Sequence, residues 1–414
     1  MWRETLVRKW HSLNKWEQVA LALWVTVLLV VCVRSAITPR KQNVMHIFSL
    51  AGQNWMQGKT MYGNVATDRD VYRYSPVVAV TYVPLAIIPE RLCNPLWRIF
   101  NVVVLLWGLL WWLRVVLPRR LQRWELAALM LLMLPITIPS LNNGQTNLMM
   151  LGMMLAGVAA ASDKRWTVAA LLLAGATWLK GYPLSLAMLV MLLSPWRFTW
   201  RFVAFLIVGG LLPFLFQRPD YVVDAYRGWI HTLGNDGRNA LDKDFWLRDV
   251  RLLFFVVCGV RLSSQAYLAI QLVVAALAAF FVVMGRWCRL PSDRQWFTLT
   301  QLCLIWQTVF GPATESATWI VLAPTLTLSL LLAWRENYSF GVKTALTTSY
   351  GLFVVSHMAK WFPWGNAFAN LGPQPLAGVI YYAVALYFGV HLFWEKEPNV
   401  QVERREGPGL PVAA

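Results

Sequence analysis

Residues 124–162 read WELAALMLLMLPITIPSLNNGQTNLMMLGMMLAGVAAAS. Two apolar runs, 124–140 and 146–162, flank the hydrophilic turn 142–147. A helix that spans a bilayer needs about 20 predominantly apolar residues, within a range of about 17–25. Both runs approach that length, so this stretch predicts two membrane helices joined by a polar turn.

The same pattern recurs along the chain. Ten further apolar runs are candidate spans: 17–34, 96–117, 166–180, 182–194, 202–216, 267–285, 296–310, 317–334, 342–359 and 376–394. The 414 residues are 58% hydrophobic and 14% charged, whereas soluble domains average about 45–50% apolar and about 25% charged. This composition excludes an ordinary soluble enzyme and a disordered chain. It predicts an all-α polytopic membrane protein with about twelve transmembrane helices, forming a single integral membrane domain over 1–414.

The positive charges predict the orientation of these helices. The net charge is +17, and most lysines and arginines lie between apolar runs, for example Arg119, Arg120 and Arg123. Basic connections mark the cytoplasmic side. We therefore expect a multi-pass protein of the cell membrane with both termini cytoplasmic, a retained signal anchor over 19–33 and a cytoplasmic tail over 395–414. Nucleic acid is not an expected partner, because no basic patch or binding motif is present.

The irregular polar connections then fall on the outer side. They comprise two large extracytoplasmic loops, 35–95 and 217–266, and the turns 142–147, 180–183, 311–316 and 360–375. The apolar segment 71–88 contains two prolines and is predicted to be juxtamembrane or re-entrant. Functional residues are concentrated on loops that a rigid scaffold positions. We expect the functional side chains on this outer face.

Three residues are candidates for acid–base chemistry. Glu315 lies beside an apolar run, where an ionisable group is costly and therefore a functional hypothesis by default; a helix-start acid is the structural alternative. His46 is a candidate because a free imidazole is suited to proton transfer near neutral pH, although a lone histidine is more often structural. Asp70 follows Asp68 by two residues, and such carboxylates serve as a base or hold a divalent cation. A solvated loop with local Asp–Arg pairs is the alternative for Asp70.

Other residues suit substrate binding. Lys180 can neutralise a phosphate or extend to the membrane interface. Arg248 and Arg251 would share one face of a helix and hold a phosphate. The turn 142–147 is rich in amides, which bond sugar hydroxyls or only build a polar turn: Asn142, Asn143, Gln145 and Asn147.

Familiar soluble sites are missing from the sequence. The five cysteines are scattered and form no CxxC arrangement, so neither a disulfide framework nor a zinc site is predicted. No HExxH, P-loop, GxSxG or strand–helix GxGxxG motif is present. If the chain is a transferase, its donor therefore arrives on a lipid.

The order and spacing of five motifs resemble glycosyltransferase family 87, whose members are polytopic GT-C-type enzymes and include polyprenol-phosphate-mannose-dependent mannosyltransferases. The resemblance covers residues 40–335. Its carriers are His46-Ile47-Phe48, Tyr72-Arg73-Tyr74-Ser75-Pro76, Asn143-Gly144-Gln145-Thr146-Asn147, Leu179-Lys180-Gly181-Tyr182-Pro183 and Gly311-Pro312.

This resemblance implies a GT-C-like fold with outer-face loops and juxtamembrane helices. It implies an inverting hexosyltransferase that moves a hexose, mannose by analogy, from a polyprenyl-phosphate donor to a lipid-linked or extracytoplasmic acceptor. No cofactor is required in this class, and a divalent cation is optional. Arg73, Tyr74 and Tyr182 are then expected to bind substrate, with Arg73, Lys180 and Arg248 stabilising the leaving phosphate.

The chain departs from the family pattern at two places. The usual aspartate two residues before His46 is Val44, and the usual histidines after Pro312 correspond to Ala317 and Thr318. Glu315, His46 or Asp70 is the expected replacement. Glu315 and His46 would form a suitable pair, because a carboxylate beside an imidazole raises the basicity of the imidazole. The alternatives are a catalytically inactive relative and a transporter or flippase for a lipid-linked sugar; the latter would need related halves and polar residues at mid-membrane.

Overall fold

The computed structural model describes residues 11–40, 43–63, 71–235 and 243–394. All regular secondary structure within these ranges is helical, which confirms the all-α class. The α-helices are α1 Lys15–Ile37, α2 Met45–Met56, α3 Pro76–Ala86, α4 Glu90–Val116, α5 Arg123–Asn143, α6 Asn147–Ser162, α7 Trp166–Leu179, α8 Leu184–Leu193, α9 Pro195–Leu211, α10 Pro219–Gly234, α11 Val250–Cys258, α12 Ser264–Trp287, α13 Ser292–Val309, α14 Ala323–Arg335, α15 Phe340–Ala359, α16 Gly365–Ala369 and α17 Pro373–Trp394. Short 3-10 helices cover Leu212–Leu215, Lys243–Phe245 and Ser316–Leu322.

The protein is a polytopic membrane protein. Among the described residues, six helical segments are long and apolar enough to cross a bilayer: Lys15–Ile37, Glu90–Val116, Arg123–Asn143, Pro195–Leu215, Ser264–Trp287 and Ser316–Arg335. The other six predicted spans also fall on helices. The total of about twelve crossings stays a prediction, as does the division into one membrane domain with two outer loops.

Helix ends follow local sequence signals. In α1, the Asn14 side chain accepts a hydrogen bond from the Glu17 backbone N–H at 2.8 Å, and Glu17 Oε2 accepts from the Asn14 N–H at 2.9 Å. This capping box satisfies two amides that have no partner within the helix. Proline occupies the first turn of α3, α9 and α10, where its missing N–H costs nothing.

The centre of the bundle depends on two glycines. A Cβ on Gly108 of α4 would lie 1.9 Å from the Gly152 carbonyl oxygen of α6, and one on Gly152 would lie 2.3 Å from the Val104 carbonyl oxygen. The two helices therefore cross with their backbones in contact, as small residues permit in membrane helices. Leu105 and Trp112, beside this crossing, are fully buried.

Both predicted outer loops contain helices. The first includes α2, α3 and the start of α4, which begins at Glu90; the second includes α10 and α11. At 11 residues, α3 is about 16 Å long, too short to span a bilayer. These short helices bring the start of α3 against the end of α7, where Ser75 Oγ donates to the Trp178 carbonyl at 3.0 Å.

Candidate functional site

The turn between α5 and α6 has a fixed shape. Gly144 ends α5 with a φ of 73°, the left-handed conformation that glycine adopts without strain. Its carbonyl accepts a hydrogen bond from Trp97 Nε1 at 2.9 Å, and the preceding Asn142 carbonyl accepts from Arg98 Nη2 at 2.8 Å. Both side chains belong to α4, so the central helix pair holds this turn in place.

A chain of three hydrogen bonds links a cation to an anion through this turn. Lys180 Nζ donates to Asn147 Oδ1 at 2.7 Å. Asn147 Nδ2 donates to Gln145 Oε1 at 2.6 Å, and Gln145 Nε2 donates to Glu315 Oε2 at 2.7 Å. We call these four side chains the Lys180–Glu315 network. The structure thus brings together residues from three motifs far apart in sequence.

The charges at the two ends set the direction of this network. An ammonium only donates hydrogen bonds and a carboxylate only accepts them, so both amides must point their oxygens toward Lys180 and their nitrogens toward Glu315. Asn147 is 0% exposed and Gln145 is 6% exposed, while the charged residues at the ends are half-buried. Burial of the amides lowers the local dielectric and strengthens each bond.

Glu315 also stands at a helix start. It immediately precedes the 3-10 helix Ser316–Leu322, and its backbone N–H donates to Thr318 Oγ1 at 3.3 Å. Asn147 Nδ2 bonds the Ala317 carbonyl of that same helix at 3.1 Å. The alternative prediction, an acid at a helix start, therefore describes the backbone of Glu315 correctly, while its carboxylate accepts a hydrogen bond from Gln145.

Two tyrosines lie beside the ammonium of Lys180. Lys180 Nζ is 5.9 Å from the ring centre of Tyr74 and 6.0 Å from that of Tyr182, within the range of cation–π attraction. Burial, together with the negative charge of Glu315, raises the pKa of Tyr74 well above its ordinary value. Tyr74 therefore stays protonated and can donate a hydrogen bond at neutral pH.

The backbone of the motif around Tyr74 is anchored on both sides. The Tyr74 carbonyl accepts from Tyr62 OH at 2.9 Å, and the Arg73 carbonyl accepts from Trp229 Nε1 of α10 at 3.2 Å. The half-buried side chain of Arg73 donates from Nη1 to the Val71 carbonyl at 3.4 Å.

His46 lies in the first turn of α2, beside the same turn. The Val44 N–H donates to the Asn143 carbonyl at 3.0 Å, which joins the start of α2 to the end of α5. His46 Nδ1 lies 2.8 Å from the Asn43 carbonyl oxygen. A carbonyl oxygen only accepts, so Nδ1 carries the hydrogen and a neutral ring has its lone pair on Nε2. Asn143, predicted to bind substrate, contributes its backbone carbonyl to this contact between α2 and α5.

Asp70, the third predicted catalytic residue, lies outside the described residues. Within the ranges that the structure describes, no three or more histidine, cysteine, aspartate or glutamate side chains are grouped as a metal site would require. The predicted independence from a cofactor, with an optional divalent cation, stays a prediction.

The predicted pairing of Arg248 with Arg251 on one helix face is wrong. Helix α11 begins at Val250, so Arg248 precedes it. Arg248 Nη1 donates to the Asn370 side chain at 2.8 Å and to the Ala369 carbonyl at 3.0 Å. Arg251 instead forms an ion pair with Asp249, the N-cap of α11. Because Asp249 is the N-cap, Arg248 lies before the helix, and the two guanidinium groups bind different partners.

Arg248 nevertheless adjoins the network. Its backbone N–H donates to the Thr314 carbonyl at 2.7 Å, one residue before Glu315. Burial lowers the pKa of Arg248, but a guanidinium stays charged at any physiological pH. The backbone of Arg248 thus lies next to Glu315, while its guanidinium binds Ala369 and Asn370.

Two residues near Glu315 were not singled out from the sequence. Lys360, just after α15, is exposed, but the surrounding protein and the positive charge of Arg248 lower its pKa to about 8, while Glu315 acts in the opposite direction. His357 Nε2 lies 3.3 Å from the Ser316 carbonyl oxygen. Only its position could have indicated Lys360, because it is the first residue of 360–375, a polar connection predicted on the outer face.

The sequence profile of one family, Glycosyltransferase family 87, matches residues 72–312, more than half of the chain. No curated protein matches the sequence. The matched segment includes Tyr74, the turn 144–147, Lys180 and Arg248, and it ends three residues before Glu315.

Proposed function

Because this chain belongs to glycosyltransferase family 87, we propose that it transfers a hexose, with mannose as the first candidate, from a polyprenyl-phosphate donor to a hydroxyl of a lipid-linked or extracytoplasmic acceptor. The family makes the chain a membrane glycosyltransferase; the donor, the sugar and the acceptor are parts of our proposal. The observation that carries the proposal is the Lys180–Glu315 network, which places a carboxylate and an ammonium in one half-buried site.

In the proposed reaction, Glu315 is the general base. Its carboxylate accepts the proton of the acceptor hydroxyl as the hydroxyl oxygen attacks the anomeric carbon. The bond from that carbon to the phosphate oxygen breaks on the opposite side, so the configuration inverts and the phosphate leaves with the electron pair. The hydrogen bond from Gln145 to Oε2 fixes the orientation of the carboxylate, which is how a support residue contributes to general-base catalysis.

Positive side chains would stabilise the leaving phosphate. Lys180 directs one of its hydrogens to Asn147, and an ammonium has three donors. Lys360 and Arg248 add two cations whose charges act on one another. Preorganised cations of this kind stabilise the charge that develops on a leaving group. Neutral Tyr74 would donate a further hydrogen bond to the phosphate or the sugar.

His46 and Asp70 are the alternative bases. The Nε2 lone pair of His46 suits proton abstraction, and a carboxylate such as Asp70 suits the same role. We place the site on the outer face of the cell membrane and both termini in the cytoplasm, in accord with the basic connections on the other side of the predicted topology. No step in this reaction requires a cofactor.

The experiment measures transfer from radiolabelled polyprenyl-phosphate mannose by purified protein reconstituted with extracted membrane lipids as acceptors. Glu315→Gln keeps the size of the side chain and removes the base, so we expect transfer to fall by about 10²–10⁴-fold. Glu125→Gln is the matched control, since it removes the negative charge of another carboxylate, far from the network. Transfer is compared per folded molecule, because this change also breaks the Glu125–Arg335 ion pair. Unchanged transfer in Glu315→Gln removes Glu315 from the mechanism.

Further variants and readouts separate the alternatives. A loss of transfer in His46→Ala or Asp70→Asn, with Glu315→Gln active, assigns the base to that residue. Movement of the intact lipid-linked sugar across the bilayer without transfer indicates a flippase. Failure of the wild-type protein with every polyprenyl-phosphate hexose contradicts the proposed function.

A further inference from the structure

A cavity of about 350 Å³ lies between the segment 60–63 and helix α10. Its walls include Tyr62, Tyr221, Asp224, Arg227, Gly228 and His231. Sites for small molecules occupy about 300–1,000 Å³, so the cavity can hold a sugar-sized ligand. None of these residues belongs to the Lys180–Glu315 network.

The spacing of residues on α10 builds one wall. Tyr221, Asp224 and Gly228 follow one another at intervals of three and four, so they share a face of the helix. A Cβ on Gly228 would lie 2.8 Å from Cδ2 of Tyr62. Glycine at this position therefore lets the Tyr62 ring lie directly against the helix.

Both tyrosine hydroxyls are engaged with the protein. Tyr62 OH donates to the Tyr74 carbonyl at 2.9 Å, and Tyr221 OH donates to the Lys59 carbonyl at 2.7 Å. The two rings are thus held in place and contribute apolar surface to the cavity. Rigid aromatic surface of this kind packs against the C–H face of a ligand at little entropic cost.

Charged groups of both signs complete the cavity. Asp224 and Arg227 form an ion pair at 3.1 Å, with side chains 71% and 77% exposed, and His231 is also exposed. Exposed ion pairs contribute little stability, so these groups can turn to a ligand. Asp224 repels an anionic ligand, and a purely apolar ligand leaves the polar groups unsatisfied. A neutral ligand with many hydroxyls satisfies donors, acceptors and aromatic rings together.

The cavity adjoins the proposed catalytic site through Tyr62. This residue lines the cavity and bonds the backbone of Tyr74, whose ring lies beside Lys180. The geometry points to a binding site for the glycan part of the acceptor, taking neutral hexose units remote from the reacting hydroxyl. This assignment to the acceptor rests on the proposed function. Binding energy from such remote units is used to position the reacting group.

The experiment measures binding of free sugars without any donor. Saturation-transfer NMR is recorded on protein in phosphatidylcholine nanodiscs, which avoid sugar-based detergents, with mannotriose, cellotriose and maltotriose as probes. We expect at least one trisaccharide to bind the wild-type protein. Tyr221→Ala and Arg227→Ala should each weaken that binding at least tenfold, while Tyr221→Phe, which keeps the ring, should change it less than threefold.

Ile230→Ala is the matched control, because Ile230 lies on α10, is 65% exposed and does not line the cavity; it should bind as the wild type does. The absence of binding for all three trisaccharides overturns the proposal, as does undiminished binding in both Tyr221→Ala and Arg227→Ala. Arg227 is exposed, so its replacement leaves the fold intact. If the sugar binds through Tyr221 while no polyprenyl-phosphate hexose is used, the glycan site stands and the proposed function fails.

Discussion

The two ends of α5 carry opposite charges in different arrangements. In its first turn, Arg123 contacts Glu17 at 2.7 Å, and Glu125, only 2% exposed, contacts Arg335 at 3.4 Å. Beyond its last turn, two buried amides stand between Lys180 and Glu315. With 21 residues, α5 separates these ends by about 31 Å.

This difference distinguishes a structural pair from a site. A buried ion in direct contact with its partner, such as Glu125, has much of its hydrogen-bonding capacity satisfied, which fixes helices but leaves little for a ligand. In the Lys180–Glu315 network two buried amides lie between the ammonium and the carboxylate and polarise both ends. In the proposed reaction the carboxylate acts on a proton and the ammonium on a phosphate.

Removing one cation at each end of α5 should affect different properties: the rate of transfer at one end and the stability of the fold at the other. Lys180→Met removes the charge and keeps much of the apolar stem, and we expect kcat/KM for transfer to fall by about 10²–10³-fold, because a preorganised donor to the developing phosphate charge is lost. The matched variant, Arg335→Met, leaves Glu125 buried without its cation. We expect it to lower the free energy of unfolding by about 3 kcal/mol, with transfer per folded molecule unchanged.

Kinetics in nanodiscs and thermal unfolding of the same samples check this pair. If Arg335→Met lowers transfer per folded molecule as strongly as Lys180→Met does, the distinction between the two ends is wrong. Similar losses of stability with full activity in both variants would lead to the same conclusion.

The next variant turns the network into a direct ion pair. Asn147→Asp places a carboxylate against Lys180 and removes the N–H donors to Gln145 and to the Ala317 carbonyl. We expect kcat to fall by about 10–100-fold, because Gln145 loses the bond that orients it toward Glu315. Single-turnover rates measure the effect. Asn142→Asp, in the last turn of helix α5, serves as the control. Full activity in Asn147→Asp would show that the direction of the amides is irrelevant.

Sequence patterns could predict much of this architecture, and the reason is physical. Apolar runs of membrane length mark helices because a bilayer leaves few other ways to satisfy the backbone, and each predicted span falls on a helix. The amides and Lys180 were recognisable because polar residues beside apolar runs need partners. Lys360 was harder to find, since α15 brings it near Glu315 through tertiary packing and no local motif surrounds it. For Arg248 the local pattern was misleading, because Asp249 is the N-cap of α11 and the helix begins after Arg248.

The smallest expected effect concerns pH and Lys360, a cation that belongs to none of the sequence motifs. Lys360 has a pKa of about 8, against an ordinary 10.5, so its ammonium is mostly charged at pH 7 and mostly neutral at pH 9. If this charge attracts the donor phosphate, the KM for the donor rises as pH increases through 8, by about threefold to tenfold, since an accessible charge contributes about 1 kcal/mol. The free energy of unfolding, by contrast, increases between pH 8 and 10.5. Over this range Lys360 has lost its proton in the folded protein but still holds it in the unfolded chain, so rising pH favours the folded state.

Lys360→Arg separates these two effects, because a guanidinium stays charged across this range. We expect the donor KM of Lys360→Arg to be flat from pH 7 to 9, while Lys360→Met should show the raised KM at every pH. Both variants should lose the rise in stability above pH 8. A wild-type pH dependence that persists in Lys360→Arg would assign the titration to another group, and the cation near Glu315 would then be structural, like those in the first turn of α5.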